Sequence, residues 1–387
     1  MDATDATERY QQLTGTPAEG VWSAPGRVNL IGEHTDYNGG LALPIALPHR
    51  TVVAAGRRGD GMLRVTSAGF RRVVKVDLDD VAPGHPTGWT AYVAGVPWAL
   101  RQAGYDVGGV DLAISSQVPL GAGLSSSAAL ECAVGAAVSD LYGLQLLESD
   151  AGRTTLAAAC VRAENEIAGA STGGLDQAAS LRCQPGEALL LDCRDGSATP
   201  VPFDLAEHRL TLLVTDTRAP HSLADGQYAA RRQACEEAAA ILGVPMLREI
   251  PADGLDEALA HLPDDDLRRR VRHVVTEIDR VEQVVAALAR GDWAEVGAAF
   301  VASHQSLRDD FEVTCPELDL AVDTALAHGA LGARMTGGGF GGSTIALVPA
   351  ERADVVGSEI DRAFADSTMR PPVSFAVTAS GPARRDA

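Results

Sequence analysis

The sequence predicts an α+β protein built from two domains, and three observations support this. The 387-residue chain is longer than the ~250–300 residues over which one hydrophobic core grows. Hydrophobic residues make up 46% and charged residues 22% of the chain, as in folded globular proteins. Segments with the periods of strands and of helices alternate in both halves. We place the boundary near residue 200, which gives domains over 1–200 and 201–387, and we expect a cleft between them.

The first half opens with strand patterns and continues with helical ones. Apolar, β-branched segments predict strands, and an alternating stretch is typical of a half-buried hairpin. Later segments have the apolar period of helices. The predicted strands are 21–23, 41–55, 63–78 as a hairpin and 110–115, and the predicted helices are 88–103, 128–141 and 153–168.

The second half contains long helical patterns framed by strands. We predict helices at 222–242, 267–290 and 293–307, and strands at 211–216, 332–336, 343–348 and 373–379. The last strand could pair with either domain. The run Pro263-Asp-Asp-Asp266 is interpreted as a solvated helix N-terminus rather than an ion site.

The charge balance limits the partners of the chain. Thirty-two Lys and Arg residues stand against 52 Asp and Glu residues, a net charge of −20, which repels polyanions at long range and excludes nucleic acid as an expected partner. A nucleotide stays possible because magnesium, a helix N-terminus or one arginine acts over a few ångströms.

Cysteine spacing and apolar runs predict the compartment. The six cysteines form no Cys-x-x-Cys pair and fit free thiols in a reducing environment. The polar, acidic start lacks a signal-peptide pattern, and no apolar run reaches ~18 residues. We therefore expect a cytoplasmic protein with no membrane partner.

The most informative stretch is residues 24–40, here called the polar segment. It gathers Arg27, Glu33, His34 and Asp36 into what we predict to be a glycine-punctuated loop. Burying four ionisable groups costs several kcal/mol unless each is paired or bound to a ligand. Because carboxylates accept two hydroxyl bonds each, the segment suits a polyol ligand better than an apolar one.

Residues 118–127, here called the phosphate loop, run from a predicted strand through glycines into an Ala-rich helix. Small residues let backbone N–H groups converge, and the helix dipole favours an anion at the same point. The alternative is a serine-rich N-cap on an ordinary helix. The chain has one lysine, Lys75, outside any Gly-x-x-x-x-Gly context, so a Walker A loop is absent.

The glycine-rich loop, residues 337–342, satisfies Gly-x-Gly-x-x-Gly through Gly337, Gly339 and Gly342. A predicted strand follows it where a dinucleotide fingerprint needs a helix, which argues against a Rossmann site. The loop can approach another backbone or a ligand closely. The alternative is a tight hairpin between two core strands.

Two carboxylates flank a glycine-rich turn further along the first half. Glu164 lies near the end of a helical stretch, and Asp176 follows twelve residues later beyond the turn, so both can face one cleft. The alternatives are a surface residue for Glu164 and a first-turn helix acid for Asp176.

The polar segment, the phosphate loop and the glycine-rich loop, in this order, resemble the galactokinase branch of the GHMP kinases, a family named for galacto-, homoserine, mevalonate and phosphomevalonate kinases. The match spans residues 21–348. The resemblance implies a two-domain GHMP kinase fold with an N-terminal ribosomal-protein-S5-like domain, a C-terminal ferredoxin-like α/β domain, and the active site in the cleft between them.

The resemblance also implies roles for individual residues. Asp176 would accept the proton of the attacking sugar hydroxyl, with Arg27 beside it, and Ser127 and Glu164 would bind Mg²⁺. The remaining residues fall into two groups. The expected sugar contacts are Glu33, His34, Thr35, Asp36, Gly173 and Tyr228; the expected ATP contacts are Gly121, Ala122, Gly123, Leu124, Ser125, Ser126, Ser127 and Ser67. On its own, Tyr228 would be a packing aromatic of a helix.

The implied reaction transfers the γ-phosphoryl group of ATP to the anomeric hydroxyl of α-D-galactose, the first committed step of the Leloir pathway. The expected partners are galactose and MgATP, and the expected state is a monomer. Two alternatives stay open: a sugar 1-kinase for N-acetylgalactosamine or arabinose, and a galactose and ATP sensor without turnover. Ala128 and Ala129 directly after Ser127, together with Asp176, favour an enzyme. The small residues at 171–175 depart from the bulkier family pattern and leave the sugar tolerance open.

Overall fold

The computed structural model describes residues 3–170, 172–219 and 224–387. Within these ranges the chain alternates between strands and helices, as predicted. The strands are β1 (Gly20–Asn29), β2 (Leu41–Ala42), β3 (Pro44–Arg58), β4 (Met62–Ser67), β5 (Phe70–Asp77), β6 (Gly109–Ser116), β7 (Glu187–Asp192), β8 (Ala198–Pro202), β9 (Leu210–Asp216), β10 (Gly332–Thr336), β11 (Ser343–Pro349), β12 (Val373–Val377) and β13 (Arg384–Arg385).

The helices include every one predicted from the sequence and several that were not. They are α1 (Ala3–Thr14), α2 (Trp89–Gln102), α3 (Ser126–Leu141), α4 (Asp150–Arg162), α5 (Leu175–Arg182), α6 (Ala224–Leu242), α7 (Leu255–His261), α8 (Asp265–Arg290), α9 (Trp293–Asp309), α10 (Pro316–Ala327) and α11 (Ala353–Asp366). Helix α4 continues into a π-helical turn at Ala163–Ile167. The predicted start of α6 at Ser222 lies outside the described residues.

The described strands form three sheets. The first has the order β13-β1-β3-β6-β4-β5, the second β2-β7-β8, and the third β10-β11-β9-β12. Strand β12, the segment 373–379 whose partner the sequence left open, pairs with β9 in the third sheet. The short β13 pairs with β1, so the last residues of the chain return to the first sheet.

The hydrophobic core lies in two main parts. One packs helices α2, α3 and α4 under the first sheet around Trp22, which is 1% exposed. The other joins Leu30 and Ile45 to Val271 and Phe300 of helices α8 and α9. Because this second part draws on residues before and after position 200, the two halves share apolar contacts. The boundary at 200 stays a prediction.

Helix α8 is the long support of this second core. Asp264 caps it by accepting a 2.9 Å hydrogen bond from the backbone N–H of Leu267, as the interpretation of 263–266 required. Gly291 ends it in the left-handed conformation that favours glycine. The helix therefore starts and stops where its sequence signals place it.

One local prediction was wrong. The polar segment is not a loop throughout, because its first six residues belong to β1, all of whose residues are buried. Strand β1 pairs with β3, and the register shifts between Pro25 and Arg27. Proline cannot donate to a sheet ladder, and such irregularities redirect side chains near functional sites. Arg27 therefore sits on a strand next to a bulge.

Two further findings concern the whole chain. All six cysteines are free thiols, four of them buried, as expected. Over residues 3–170, 172–219 and 224–387, no helix has both the length and the apolar character needed to cross a membrane.

Candidate active site

A polar cavity of about 130 Å³ lies where the polar segment meets the turn before α5 and the glycine-rich loop. Most of its walls are residues predicted as site residues. Its lining is Arg27, Glu33, His34, Asp36, Thr172, Gly174, Leu175, Asp176, Tyr228, Gly337 and Gly338. The fold therefore brings residues as far apart along the chain as Arg27 and Gly338 into one site.

Asp176 lies in the first turn of α5 and is bound through both of its oxygens. The guanidinium of Arg27 lies 2.6–2.7 Å from Oδ1, and the hydroxyl of Ser125 donates to Oδ2 over 2.6 Å. Arg27 also donates from Nη1 to the backbone oxygen of Gly123 over 2.7 Å. The carboxylate is thus fixed in orientation between strand β1 and the phosphate loop.

Ser125 has a left-handed backbone, with φ 58°, at the N-cap position of α3. Its hydroxyl does not cap the helix, because it donates to Asp176 instead. Ser125 therefore does not form the side-chain N-cap that was the alternative for this loop. The uncapped start of a 16-residue helix is suited to an anion.

The phosphate loop is held from both sides by other parts of the chain. The backbone N–H of Arg27 donates to the oxygen of Leu124, and the hydroxyl of Ser343 donates to the oxygen of Ala122. A Cβ on Gly337 would lie 2.9 Å from the oxygen of Gly123, and φ at Gly337 is +88°. Glycine is therefore required where the glycine-rich loop touches the phosphate loop.

Glu33 joins the polar segment to the glycine-rich loop. Oε1 accepts a 2.7 Å bond from the backbone N–H of Gly337, and Oε2 accepts a 2.7 Å bond from Asn29. Burial raises the pKa of its carboxyl, while the nearby Arg334 and Arg27 act in the opposite direction. Both oxygens already bind protein groups, so the structure gives Glu33 a structural role in addition to its place on the cavity wall.

His34 is fixed as a neutral imidazole. Its Nε2 lies 3.2 Å from the oxygen of Gly338, which can only accept, so we assign the proton to Nε2. Nδ1 then accepts from the hydroxyl of Tyr37 over 2.8 Å. Burial is the main cause that lowers the pKa of His34 to about 3. His34 therefore carries no charge in the physiological range.

Asp36 faces the turn before α5. Burial first, and then the neighbouring carboxylates of Asp176 and Glu33, raise the pKa of Asp36 to about 6. A Cβ on Gly173 would lie 2.3 Å from Oδ2 of Asp36, so only glycine permits this approach. Gly173 thus lies against the side chain of Asp36. Its neighbours Thr172 and Gly174 line the cavity.

Tyr228 of helix α6 closes the aromatic side of the cavity. Its ring centroid lies 5.3 Å from that of His34 and 5.7 Å from that of Tyr37. The tyrosine therefore packs in an aromatic group, which was the alternative, and also lines the cavity. Its contact with the sugar stays a prediction.

Thr35 and Ser67 are among the predicted contacts that do not line the cavity. Thr35 is fully buried, and its hydroxyl donates to the backbone oxygens of Gly32 and Leu41, so its side chain holds the turn of the polar segment. Ser67 ends strand β4 and pairs with Ile114 and Phe70. Sugar contact by Thr35 and nucleotide contact by Ser67 stay predictions.

Glu164 lies in the π-helical turn after α4, a type of turn that is frequent at functional sites. Its Oε2 accepts bonds from the amide of Gln177 at 2.6 Å and the hydroxyl of Thr172 at 3.1 Å. Burial is the main cause that raises the pKa of Glu164, and Asp176 adds to it, whereas hydrogen bonds from Gln177, Ser127 and Thr172 oppose it. Glu164 is therefore buried, not the surface residue of the alternative.

The charges around Glu164 fit a magnesium site. Three acids, Asp176, Glu164 and Glu131, succeed one another into the core, and Arg27 is the cation paired with the first of them. A carboxylate and a hydroxyl are hard oxygen donors, and Mg²⁺ binds to one or two carboxylates together with substrate phosphates. No cluster of three or more His, Cys, Asp or Glu ligands occurs in the described parts of the chain, so a complete protein cage is not formed there.

Several residues that complete the site were not predicted from the sequence, and four of them contribute polar side chains. Asn29 binds Glu33, Thr172 lines the cavity, and Gln177 and Glu131 lie behind Glu164. A signal existed for Glu131, because it follows Ser127 by four positions on a helix and so shares its face. The others come from tertiary approach and leave no local pattern.

Comparison with known proteins places this site in a family. Residues 8–57 match the model of the galactokinase galactose-binding signature, 91–184 the GHMP kinases N terminal domain, and 284–366 the GHMP kinases C terminal domain. The galactokinase of Streptomyces coelicolor is 54% identical over 98% of this chain and 97% of its own length. Human galactokinase is 44% identical over 90% of this chain and 88% of its own length.

Solved structures agree. The structure of Lactococcus lactis galactokinase in complex with galactose superposes with a TM-score of 0.92 at 32% identity, covering 98% of both chains. A mevalonate kinase structure, at 18% identity, shares the fold with a TM-score of 0.66 and covers 94% of this chain and 98% of its own. The predicted GHMP kinase fold is confirmed, and the chain belongs to the galactokinase family of the GHMP kinases.

Proposed function

We propose that this protein transfers the γ-phosphoryl group of ATP to the anomeric hydroxyl of α-D-galactose, giving galactose 1-phosphate and ADP. The observation that carries the proposal is the placement of Asp176. Its carboxylate is held by Arg27 and Ser125 at the wall of a polar cavity, directly beside the phosphate loop. Membership of the galactokinase family supports the same reaction.

In the proposed reaction, Asp176 accepts the proton of the anomeric hydroxyl as its oxygen attacks the γ-phosphorus. A bond forms between the sugar oxygen and phosphorus, the bond from phosphorus to the bridging oxygen breaks, and the electron pair leaves with ADP. The proton then passes from Asp176 to solvent. Such a transfer asks the protein mainly for positioning and electrostatic stabilisation.

Arg27 supplies both in this scheme. Its contacts with Asp176 and with the oxygen of Gly123 fix the base relative to the phosphate loop. Its fixed positive charge also lies where negative charge grows on the transferring group, if the γ-phosphate meets the sugar beside Asp176. Two functions, orientation and charge stabilisation, then rest on one side chain.

Ser127 and Glu164 are the residues proposed to hold Mg²⁺. When bound, the ion neutralises charge on the phosphate oxygens. Glu164 is suited to this because it is buried with its charge largely unbalanced by protein cations. Gly121–Ser127 are proposed to contact the phosphates through backbone N–H groups at the start of α3.

Galactose is proposed to bind to Asp36, His34 and Tyr228, with Glu33 and Gly173 behind them. The carboxylate of Asp36 and the phenol of Tyr228 can bond separate hydroxyls, whereas a sugar contact by His34 would replace one of the bonds that its ring nitrogens make to Tyr37 and Gly338. A site that bonds a specific hydroxyl leaves a buried polar group unpaired with the wrong epimer, which is how large discrimination arises. We therefore expect galactose to be preferred over glucose.

Three further parts of the proposal concern the cellular setting. Six free cysteines support a reducing compartment, so we place the protein in the cytoplasm. A monomer stays our prediction of the oligomeric state. Nucleic acid stays excluded as an expected partner because of the net charge of −20.

An ADP-release screen tests the proposal. Purified protein is assayed with MgATP against galactose, glucose, N-acetylgalactosamine and arabinose, with the Asp176→Ala variant as the control for contaminating kinases. The proposal predicts the highest kcat/KM with galactose. A higher value with N-acetylgalactosamine or arabinose would reassign the substrate, and saturable galactose binding without ADP release would indicate the sensor.

A further inference from the structure

Two hydrogen bonds reach the same carboxylate oxygen of Glu164, in addition to its interaction with Ser127. The hydrogen bonds from Gln177 and Thr172, at 2.6 and 3.1 Å, both end on Oε2 and neither uses Oε1. The side chain is 4% exposed, so solvent does little to orient it. The protein therefore sets the direction of this carboxylate through the donors that reach Oε2.

Gln177 is the stronger of these two donors and is itself fixed. The same Nε2 that donates to Glu164 also donates to Oε2 of Glu131 over 3.0 Å. An amide nitrogen has two hydrogens, and here each meets a carboxyl oxygen. The opposite amide orientation would place the amide oxygen of Gln177, an acceptor, between the carboxyl oxygens of Glu164 and Glu131. The hydrogen-bond pattern therefore selects the orientation in which Nε2 faces both carboxyl groups.

Glu131 completes the chain of contacts. It is fully buried in α3, one helical turn after Ser127. Its Oε1, like Oε1 of Gln177, has no hydrogen-bond partner within the part of the chain that the structure describes. Leaving a buried polar atom unpaired costs about 1–3 kcal/mol, so the pair is not explained by stability alone.

We propose that Gln177 is a positioning residue for the cation-binding carboxylate, and that Glu131 holds Gln177 in place for this task. The proposal rests on the function proposed above, in which Glu164 and Ser127 hold Mg²⁺. Residues behind a metal ligand orient it, and their loss typically weakens metal binding by about 10–100-fold. Because Gln177 directly follows Asp176 in α5, one helical turn would position both the base and the metal ligand.

The test measures metal binding without turnover. Mn²⁺, a spectroscopic substitute for Mg²⁺, is titrated into protein with saturating ADP, and free Mn²⁺ is followed by electron paramagnetic resonance. Gln177→Met keeps the length of the side chain and removes both hydrogens. We expect its Mn²⁺ affinity to fall by about 10–100-fold while galactose affinity, measured by calorimetry, changes less than about twofold.

Matched variants separate positioning from general disruption. Gln283→Met makes the same change on the exposed face of α8, where Gln283 bonds Asp279, and should leave Mn²⁺ affinity unchanged. Glu131→Gln retains an acceptor for Gln177, so its Mn²⁺ affinity should stay close to that of the wild type. Glu131→Leu removes that acceptor and should weaken Mn²⁺ binding in the same direction as Gln177→Met.

The results for Gln177→Met and for the wild type test two different proposals. Unchanged Mn²⁺ affinity in Gln177→Met, or an equal loss of galactose and Mn²⁺ binding, overturns the positioning role. If the wild type transfers no phosphoryl group to any sugar, the proposed function fails instead, and the wild-type assay run in parallel shows which of the two has failed.

Discussion

The hydroxyl of Ser125 and the carboxylate of Asp176 are joined by a 2.6 Å hydrogen bond that links the phosphate loop to the proposed base. Arg27 binds the opposite oxygen, so the two contacts lock the carboxylate plane. We expect Ser125→Ala to lower kcat roughly tenfold, since a hydrogen bond to a charged group contributes about 1.5–3 kcal/mol and part of that orients the base. Steady-state kinetics check this, and an unchanged kcat would contradict it.

Replacement of Asp176 itself is expected to abolish turnover. Removing a positioned general base typically costs 10²–10⁴-fold, so Asp176→Ala should lose at least about that factor in kcat while ATP affinity changes little. Nucleotide binding by calorimetry, measured beside turnover, supplies the control. A variant that kept more than about a tenth of the wild-type activity would refute the assignment.

Arg27 should not be replaceable by lysine. Its Nε and Nη2 face Asp176 while Nη1 reaches the oxygen of Gly123, and one ammonium cannot reproduce that fork. We expect kcat to fall about 10²–10³-fold in Arg27→Ala, with Arg27→Lys recovering only a minor part. Full activity in Arg27→Lys would argue against the bidentate role.

Galactose affinity should depend on pH through Asp36. The pKa of Asp36 is raised to about 6, whereas that of His34 is lowered to about 3, so between pH 5 and 7 the carboxyl changes charge and the imidazole does not. If the ionised form accepts the sugar hydroxyls, the Kd for galactose should fall about tenfold from pH 5 to 7. Asp36→Asn should remove this dependence and His34→Gln should keep it. A pH-independent wild type would contradict the prediction.

The raised pKa of Asp36 also makes the free energy of unfolding depend on pH. Because the folded pKa of Asp36 lies above the ordinary 3.8, the folded state binds this proton more tightly than the unfolded chain. Asp36 therefore costs stability progressively as the pH rises from about 4 to about 6, and the cost is absent below that window. Asp36→Asn should be more stable than wild type at pH 7 in urea unfolding, and equally stable near pH 4. A less stable variant at pH 7 would contradict this.

The polar segment is braced by a buried charge network from the second half of the chain. Arg334 is fully buried and lies 3.6 Å from both Glu33 and Glu277, and Glu277 accepts a 3.0 Å bond from the backbone N–H of Gly32. Arg334→Met leaves two buried carboxylates without this cation, so we expect a loss of about 3–5 kcal/mol in the free energy of unfolding.

Urea unfolding measures that loss. The matched control is Arg362→Met, which breaks the exposed ion pair with Glu359, where the arginine side chain is 66% exposed. Exposed pairs contribute little, so the control should unfold like the wild type. Equal effects of the two substitutions would show that the buried network does not stabilise the fold.

Much of this architecture could be predicted from local sequence signals. Asp264 and Gly291 bound α8 as a capping acid and a left-handed glycine should. The strand, loop and helix at residues 109–141 could be predicted because small residues lead from β6 into α3. The strongly amphipathic pattern of α8 is equally local, and the predicted bounds of that helix agree with the structure within a few residues.

What could not be predicted depends on tertiary approach. Strand β1 extends through Arg27 because β3 pairs with it, although the charged residues suggested a loop. The bonds from Gly337 and Asn29 to the oxygens of Glu33 could not be predicted, because only the fold brings position 337 to position 33. No sequence pattern around Gln177 predicts its contact with Glu131.

A crystal structure of the protein with galactose and a non-hydrolysable ATP analogue would show whether the sugar and the nucleotide meet at Asp176. The proposed function requires the anomeric oxygen within hydrogen-bonding distance of Asp176, and the phosphates of the analogue against residues 121–127. A saccharide bound away from Asp176, or a nucleotide bound elsewhere than the phosphate loop, would contradict it.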